Sequence, residues 1–326
     1  MSNHKNRQEI KILSVGAAVQ DVFLQGKLFT PKKEGHEYVE EFELGSKNDI
    51  DGVIFSTGGG ATNAAVTFAR YGLHSMFMGK IGNDIAGKAV IDDLHKDGID
   101  TSLVTYLNNI GTGYSCLLLA PNGERTILTY RGASSHIDLK VADFHDMSAD
   151  WILVTSMAGN FVALETLFNY AEKRDIKIAM IPGKDELKHA KEFKKFVPRL
   201  SVLTANKEEL CMLYDGKTMH DLVKQANKDV HYVFCTDGPK GAVAADRWHI
   251  VTAGMYEDVP VIDRSGAGDA FASGFIAMIA AGESLERAVT FASANSTSVV
   301  GSIGAKAGIL QHDSKIHSMP LDVKEL

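Results

Sequence analysis

The stretch VPVIDRSGAGDAFASGF, residues 259–275, indicates the fold most directly. A run rich in valine and isoleucine leads into a glycine-rich turn, and small and apolar residues at helical spacing follow it. The N–H groups of a first helical turn lack partners within the helix, and the helix dipole favours anions at that end. Gly266 and Gly268 allow the backbone to curve around a phosphate. The stretch therefore predicts a strand, an anion-binding turn and a helix.

Asp269 falls in the first turn of this predicted helix, beside the anion-binding turn. A carboxylate at that place repels a phosphate that is merely bound. It has a use if it takes a proton from a hydroxyl group that attacks the phosphate. The alternative is an Asp that caps the helix and takes part in no chemistry. The segment alone leaves both interpretations open.

Outward from this stretch, apolar runs of strand length alternate with helical patterns along the chain. The predicted strands lie at about 10–15, 76–80, 151–155, 177–181, 202–204 and 232–236, with helices near 85–96, 163–173 and 220–227. Such alternation predicts a mostly parallel sheet with helices on both faces. Two segments, 22–56 and 112–131, break the pattern with extended, polar stretches. The second resembles a hairpin with a turn at 121–124, and together they predict a small β lid over one end of the sheet.

The bulk composition excludes several classes of protein. Of the 326 residues, 45% are hydrophobic, which is enough for a large core, and the formal net charge of −7 does not suit nucleic-acid binding. Cys116, Cys211 and Cys235 are scattered and predict neither a disulfide framework nor a zinc site. No apolar run approaches the length of a membrane span, and the polar residues 1–9 predict a flexible tail. These features predict a cytoplasmic protein without a membrane or nucleic-acid partner.

The nine residues DRSGAGDAF at 263–271 resemble the second signature of the ribokinase-like (PfkB) carbohydrate kinases, with Arg264 in place of the usual threonine. The resemblance implies an α/β fold, a three-layer α/β/α sandwich with a central mostly parallel sheet and a small β lid. It implies a kinase domain over about 10–310, followed by a C-terminal segment, 311–326. It makes Asp269 the catalytic base and assigns the anion hole to the amides of Gly266, Ala267 and Gly268.

Two further segments resemble substrate-binding parts of the same family. The triplet at 58–60 and the Asn that follows match its first signature, so the resemblance makes Gly59, Gly60 and Asn63 contacts of the substrate. Tight helix packing is the other explanation of such a triplet. Asp21 follows the first strand where relatives carry an Asp that accepts hydrogen bonds from substrate hydroxyls; a plain turn residue is the alternative.

The nucleotide side is assigned by resemblance as well. Asn206 and Glu209 match the family's N-x-x-E motif, with Glu209 near Mg²⁺ through water, although the same letters form a helix-capping box. The glycine loop along the nucleotide corresponds to Thr236, Gly238 and Gly241, and Asn295 to a neighbour of adenine. Asp263 and Ser265, with Gly304 and Ala305, fall near the monovalent cation of relatives, so the expected cofactors are Mg²⁺, with ATP as co-substrate, and K⁺ as a candidate.

The acceptor is the least determined part of the prediction. Arg131 ends the predicted hairpin, where it either contacts a substrate or pairs with a carboxylate of the lid. Residues 156–160 contain no acid, unlike relatives specific for ribose, so another sugar, a sugar acid or a nucleoside stays open. We expect an ATP-dependent kinase acting on a small sugar-like molecule. The alternatives are a nucleoside kinase of the same family and a non-catalytic sugar or nucleotide sensor, and a homodimer formed through the lid is also expected.

Overall fold

The computed structural model describes residues 6–35, 37–121, 125–144 and 147–326. In chain order its strands are β1 (Lys11–Val15), β2 (Val19–Gln25), β3 (Lys32–Glu34), β4 (Glu37–Val39), β5 (Gly52–Gly58), β6 (His74–Met78), β7 (Lys80–Gly82), β8 (Thr105–Leu107), β9 (Gly113–Leu119), β10 (Arg125–Tyr130), β11 (Trp151–Val154), β12 (Lys177–Met180), β13 (Val202–Asn206), β14 (Tyr232–Thr236), β15 (Ala242–Ala245), β16 (His249–Ala253) and β17 (Leu321–Glu325).

The α-helices of the described residues are α1 (Gly60–Arg70), α2 (Ile85–Lys96), α3 (Phe161–Glu172), α4 (Lys184–Lys188), α5 (Ala190–Phe193), α6 (Lys207–Leu213), α7 (Met219–Ala226), α8 (Ala267–Ala280) and α9 (Leu285–Val300). Several of these helices begin with a side-chain cap. Asp84, for example, accepts a hydrogen bond from the Gly87 amide at the start of α2. The strand and helix positions predicted from apolar periodicity agree with these elements to within a few residues.

Within the described residues, nine strands form the main sheet in the order β17-β16-β15-β14-β13-β12-β11-β1-β6. The six strands from β14 to β6 are parallel, and β15, β16 and β17 continue the sheet in antiparallel fashion. Strands buried on both faces are expected in a parallel sheet covered by helices. In β1, Leu13 and Val15 pack toward the α3 side, whereas Ile12 packs toward α1, α8 and α9. The predicted α/β sandwich is confirmed.

The lid sheet has the order β10-β9-β2-β5 in the described part of the chain. It contains strands from both segments that break the helix–strand alternation, although β2 begins earlier, at Val19, and β5 ends later, at Gly58. Strands β3 and β4 pair with each other in a separate two-stranded sheet. The hairpin pairs β9 with β10 as predicted. Three residues of its predicted turn, 122–124, lie outside the described residues.

The expected strand before the glycine turn is wrong, and residues near both ends of the chain contact the rest of the fold. Residues 259–262 form no strand, and Val261 and Ile262 are exposed, so an irregular segment leads into α8. The C-terminal segment adds β17 to the main sheet, so the sheet continues beyond residue 310. Arg7 is not part of a free tail, because its Nη2 lies 3.0 Å from Glu283 Oε1. Residues 1–5 lie outside the described residues.

Candidate active site

The predicted anion-binding turn lies at the start of α8. Gly266 is the N-cap, with φ of 76°. This left-handed conformation is energetically unfavourable for a residue that has a side chain. A methyl group on Gly266 would also lie 2.8 Å from Ala305 Cα, so the turn packs directly on the segment after α9. The N–H groups of Ala267, Gly268 and Asp269 follow in the first helical turn, where no intrahelical acceptor is available. An anion site at these amides stays a prediction.

Asp269 faces the start of α1. Its Oδ2 accepts a hydrogen bond of 2.8 Å from Asn63 Nδ2, a residue 206 positions earlier in the chain. Burial raises the pKa of Asp269, and the hydrogen bond from Asn63 only partly offsets the increase. The buried Oδ1 of Asn63 has no hydrogen-bond donor among the described residues. The two signature segments therefore meet in one cleft, with one unoccupied acceptor atom beside the carboxylate.

Gly59 and Gly60 allow this close approach. Gly59 has φ of 100°, and a methyl group there would lie 2.8 Å from the carbonyl carbon of Ala17. A methyl group on Gly60 would lie 3.4 Å from Asp269 Oδ1. The backbone at the start of α1 thus borders the carboxylate directly, and larger residues would fill the space beside it.

Asp21 lies in β2, on the lid. Burial raises its pKa to about 6, although a hydrogen bond with Ser115 and the charge of Lys306 both lower it. The charge of Asp263 raises the pKa of Asp21 further, because a second negative charge nearby opposes ionisation of Asp21. The register pairs Asp21 with Ser115 and with Ser56 on its two neighbouring strands. The lid therefore brings Asp21 toward the loop that begins α8.

Asn206 and Glu209 form the capping box that their spacing allows. Asn206 Oδ1 accepts a hydrogen bond of 2.9 Å from the Glu209 amide, and Glu209 Oε2 accepts one of 2.8 Å from the Asn206 amide. Burial raises the pKa of Glu209, and the charge of Asp269 contributes to the increase. A water-mediated role of Glu209 near Mg²⁺ stays a prediction.

The predicted glycine loop follows β14 at the same edge of the sheet. Thr236 is the last residue of β14 and pairs in register with Asn206. Gly238 and Gly241 have φ of 52° and 86°. Gly238 begins a short 3-10 helix, and Gly241 follows its last residue. The carboxyl ends of β13 and β14 thus bring these residues together, as expected for open parallel sheets.

Asn295 does not fit its predicted place beside adenine. It is fully buried in α9, its Nδ2 donates a 2.9 Å hydrogen bond to the Ala270 carbonyl, and its Oδ1 accepts one of 2.9 Å from the Leu310 amide. Both ends of the amide are thus occupied by backbone groups. Asn295 therefore links α8 to the backbone at Leu310.

Asp263 and Ser265 organise the loop before α8. The buried Asp263 accepts hydrogen bonds at Oδ1 from the Ser265 amide and hydroxyl, at 2.9 Å and 2.8 Å, and at Oδ2 from the Gly304 amide at 3.0 Å. This carboxylate ties the turn to the segment that contains Gly304 and Ala305. A monovalent cation at this loop stays a prediction.

Two basic residues near the site belong to no sequence motif, and a third lies at the edge of the site. Lys306 is buried, its Nζ donates a 2.6 Å hydrogen bond to Thr57 Oγ1, and burial lowers its pKa to about 8. Arg125, at the start of β10, reaches Asp263. No local pattern marks either residue, because both act through contacts with distant segments. Arg131 is exposed, and its charge contributes to the lowered pKa of Asp185.

Comparison with known proteins identifies this arrangement. Residues 34–312 match the pfkB family carbohydrate kinase. The chain belongs to this family. Its relatives include the ribokinase of Bacillus subtilis (strain 168), 26% identical over 265 residues that cover 79% of this chain and 86% of the relative. They also include the ATP-dependent ribose-1-phosphate kinase of Halopiger xanaduensis, 28% identical over 254 residues that cover 77% and 83%.

The fold of this PfkB-family chain also matches solved structures. The adenosine kinase from Sinorhizobium meliloti has a TM-score of 0.74 at 19% identity, with 91% of this chain and 96% of that chain covered. At such identity the likeness establishes the fold alone. Membership in the family makes the protein a phosphotransferase with an alcohol group as acceptor. In the described part of the chain, the helices are too short or too polar to cross a bilayer.

Proposed function

We propose that this PfkB-family enzyme transfers the γ-phosphoryl group of ATP to a hydroxyl group of a small sugar-like molecule, with Asp269 as the general base. The observation that carries the proposal is the position of Asp269, in the first turn of α8 beside the anion-binding amides and hydrogen-bonded to Asn63. A base there can take the proton of the attacking hydroxyl as its oxygen approaches the phosphate.

The surrounding residues support each requirement of that reaction. The hydrogen bond from Asn63 orients one oxygen of Asp269, and the other borders Gly60. The raised pKa of Asp269 makes it a stronger base than an exposed Asp. The amides of residues 266–269 would stabilise charge on the transferring group. Mg²⁺, when bound with ATP, neutralises phosphate charge, and Glu209 is the carboxylate suited to hold it through water.

Acceptor binding would involve the lid and the start of α1. Asp21 and the unoccupied Oδ1 of Asn63 are acceptors for substrate hydroxyl groups. The names of the relatives, a ribokinase and a ribose-1-phosphate kinase, support a pentose or a pentose phosphate as the first compounds to test. Closure of the lid would exclude water and limit hydrolysis of ATP.

A coupled ADP-release assay tests the proposal. Purified enzyme with Mg·ATP is screened against pentoses, ribose 1-phosphate, hexoses, sugar acids and nucleosides, with an acceptor-free reaction as the control. We expect one class of acceptor to raise ADP release well above the control. The best turnover with a nucleoside would favour the nucleoside kinase alternative. Binding of ATP and a sugar without turnover would indicate a sensor and contradict the proposal.

The raised pKa of Asp21 predicts that its substitution changes stability and activity in opposite directions. Folding raises this pKa from 3.8 to about 6, so the folded protein binds the proton more tightly than the unfolded chain. Ionisation of Asp21 therefore lowers stability as the pH rises through this window, and below about pH 4 the effect is absent. We expect Asp21→Asn to raise Tm above about pH 7 but not below about pH 4, and to lower kcat/KM at least ~10-fold because hydroxyl binding is weakened.

Asp100→Asn is the matched control for this experiment. Burial opposes ionisation of Asp100, but hydrogen bonds from Ser102, including one of 2.8 Å from its amide, outweigh it and lower the pKa. This variant should therefore lower Tm at neutral pH and leave kcat/KM unchanged. If Asp21→Asn lowered Tm as Asp100→Asn does, the assignment of Asp21 as a buried, substrate-binding carboxylate would be wrong.

The outer face of the lid supports the proposed homodimer. Register places Phe55 and Leu128 in one row of this face, where they are 70% and 58% exposed. Val53, Tyr114 and Tyr130 extend the exposed apolar surface on the same face. Exposed apolar surface of this extent on one sheet is typical of an interface.

Phe55→Glu should convert the dimer to a monomer, measured as a halved mass by light scattering. A charge placed in an apolar interface is desolvated without a partner and weakens association. Val162→Glu is the control, since Val162 is 78% exposed on α3, which packs on β12 of the main sheet. A monomeric wild-type protein would contradict the proposed dimer.

A further inference from the structure

The loop before α8 contains a buried negative charge. Asp263 is 1% exposed, and the hydrogen bonds it accepts come from the Ser265 amide and hydroxyl and from the Gly304 amide. All of these donors are uncharged. A nearby positive charge stabilises such a carboxylate further, because desolvation of a buried charge costs several kcal/mol. A positive charge that contacts Asp263 would lie close to the anion-binding turn, which begins three residues later.

Arg125 supplies a positive charge from the lid. Its Nε lies 3.9 Å from Asp263 Oδ1, and this Nε is buried without a hydrogen-bond acceptor among the described residues. Arg125 is the first residue of β10, and the alternation of side chains puts it on the face opposite Leu128 and Tyr130. It therefore projects from the inner face of the lid, the face that also carries Asp21.

The distance between the two groups is informative. At 3.9 Å the charges attract each other, but no hydrogen bond is made, so the buried Nε keeps an unused donor. Hydrogen bonds of a catalytic cleft are often long before substrates bind and shorten when the cleft closes. A small movement of the lid toward α8 would convert this contact into a charge-assisted hydrogen bond, the stronger kind.

We propose that Arg125 is a positioning residue that couples lid closure to the anion-binding turn through Asp263. As the lid closes over an acceptor, Arg125 approaches Asp263, which already holds Ser265 and Gly304. The loop is thereby fixed where the amides of residues 266–269 meet the transferring group. The inference rests on the proposed function and deepens it, because it assigns the lid a role in the ordering of the phosphate site as well as in the exclusion of water.

Kinetics of Arg125 variants test the coupling with the acceptor that the wild-type enzyme uses fastest. We expect Arg125→Ala to lower kcat about 10- to 100-fold, as small misplacements of a reacting group do, while KM for ATP changes little. Acceptor-free ATP hydrolysis should rise relative to transfer. Arg125→Lys should retain more kcat than Arg125→Ala. Addition of guanidinium ion, at a non-denaturing concentration, should restore part of kcat to Arg125→Ala.

Thr126→Ala is the matched control, since Thr126 is exposed on the next position of the same strand and on the opposite face. It should retain wild-type kcat. A double-mutant cycle separates positioning from a general structural effect. If Arg125 acts through Asp263, adding Arg125→Ala to Asp263→Asn should cost little more than Asp263→Asn alone. If the two substitutions lower kcat independently, so that their fold-changes multiply in the double variant, the proposal would be overturned. Full kcat in Arg125→Ala would overturn it as well.

A measurement without catalysis keeps this inference distinct from the proposed function. With ADP and Mg²⁺ as the probe, hydrogen–deuterium exchange is followed at residues 264–268. Arg125→Ala should exchange faster there than the wild type, and Thr126→Ala should not. If the wild-type enzyme shows no kinase activity with any acceptor, the proposed function alone is contradicted. If hydrogen–deuterium exchange in Arg125→Ala equals that of the wild type, the coupling is contradicted.

Discussion

Asp269→Asn should lower kcat at least ~100-fold, the usual scale for the loss of a general base, while ATP binding is retained. The substituted amide keeps the size of the side chain and an oxygen that can accept the hydrogen bond from Asn63. It cannot accept the proton of the attacking hydroxyl. The measurement is steady-state ADP release with the best acceptor, together with nucleotide binding by calorimetry.

Stability distinguishes this base from a capping residue. Burial raises the pKa of Asp269, so its ionised form costs folding free energy at every pH above the ordinary range of an Asp. Asp269→Asn should therefore raise Tm at neutral pH while it abolishes most turnover. A helix cap would behave in the opposite way, with lower Tm and normal kcat. Near-normal activity in this variant would remove the basis of the proposed mechanism.

The second large effect is expected for Gly266→Ala. The residue has φ of 76°, which costs an L-residue roughly 1–2 kcal/mol, and the new methyl group would lie 2.8 Å from Ala305 Cα. Overpacking of a close contact adds about 1–3 kcal/mol. We expect the free energy of unfolding to fall by at least ~2 kcal/mol and phosphoryl transfer to be almost lost, because the turn cannot keep its shape. Urea denaturation and ADP release measure the two effects.

Gly268→Ala is the matched comparison for stability. Gly268 lies within α8, and a methyl group there would have no atom within 4 Å. Alanine is the better helix former by roughly 0.8–1 kcal/mol, so this variant should unfold at higher urea concentration than the wild type. Similar losses of stability in the two variants would show that the turn at Gly266 is not the constrained element described here.

The layered fold was predictable because its signals are local. The run Trp151–Val154 is apolar throughout, and so are residues 233–235 at the centre of β14, as is expected of strands buried on both faces. The C-terminal strand gives no such signal. Leu321–Glu325 is mostly exposed and joins the sheet at its edge beside β16, where backbone hydrogen bonds hold it without a buried side-chain pattern. Residues 259–262 show the reverse case, since β-branched residues there form no strand.

The site residues were predictable where a motif carries them. Asp269 and Asn63 each stand out in a glycine-rich helix start, and the family resemblance gave both a role. Asn295 shows the limit of such transfer, because its amide is occupied by the backbone at Ala270 and Leu310. Arg125 and Lys306 lie outside any motif, and their importance follows from the carboxylates of Asp263 and Asp93 that they approach.

The amino-acid sequence by itself determined the alternation of the parallel strands with helices and the glycine turn of α8, since each depends on the spacing of neighbouring residues. The resemblance of residues 263–271 to the family motif named Asp269 as the proposed base. Tertiary structure alone decided which distant groups meet: Asn63 with Asp269, and the lid's Arg125 with Asp263. The physical reason is that the energy of a buried charge depends on every segment that surrounds it, and those segments come together only when the chain folds.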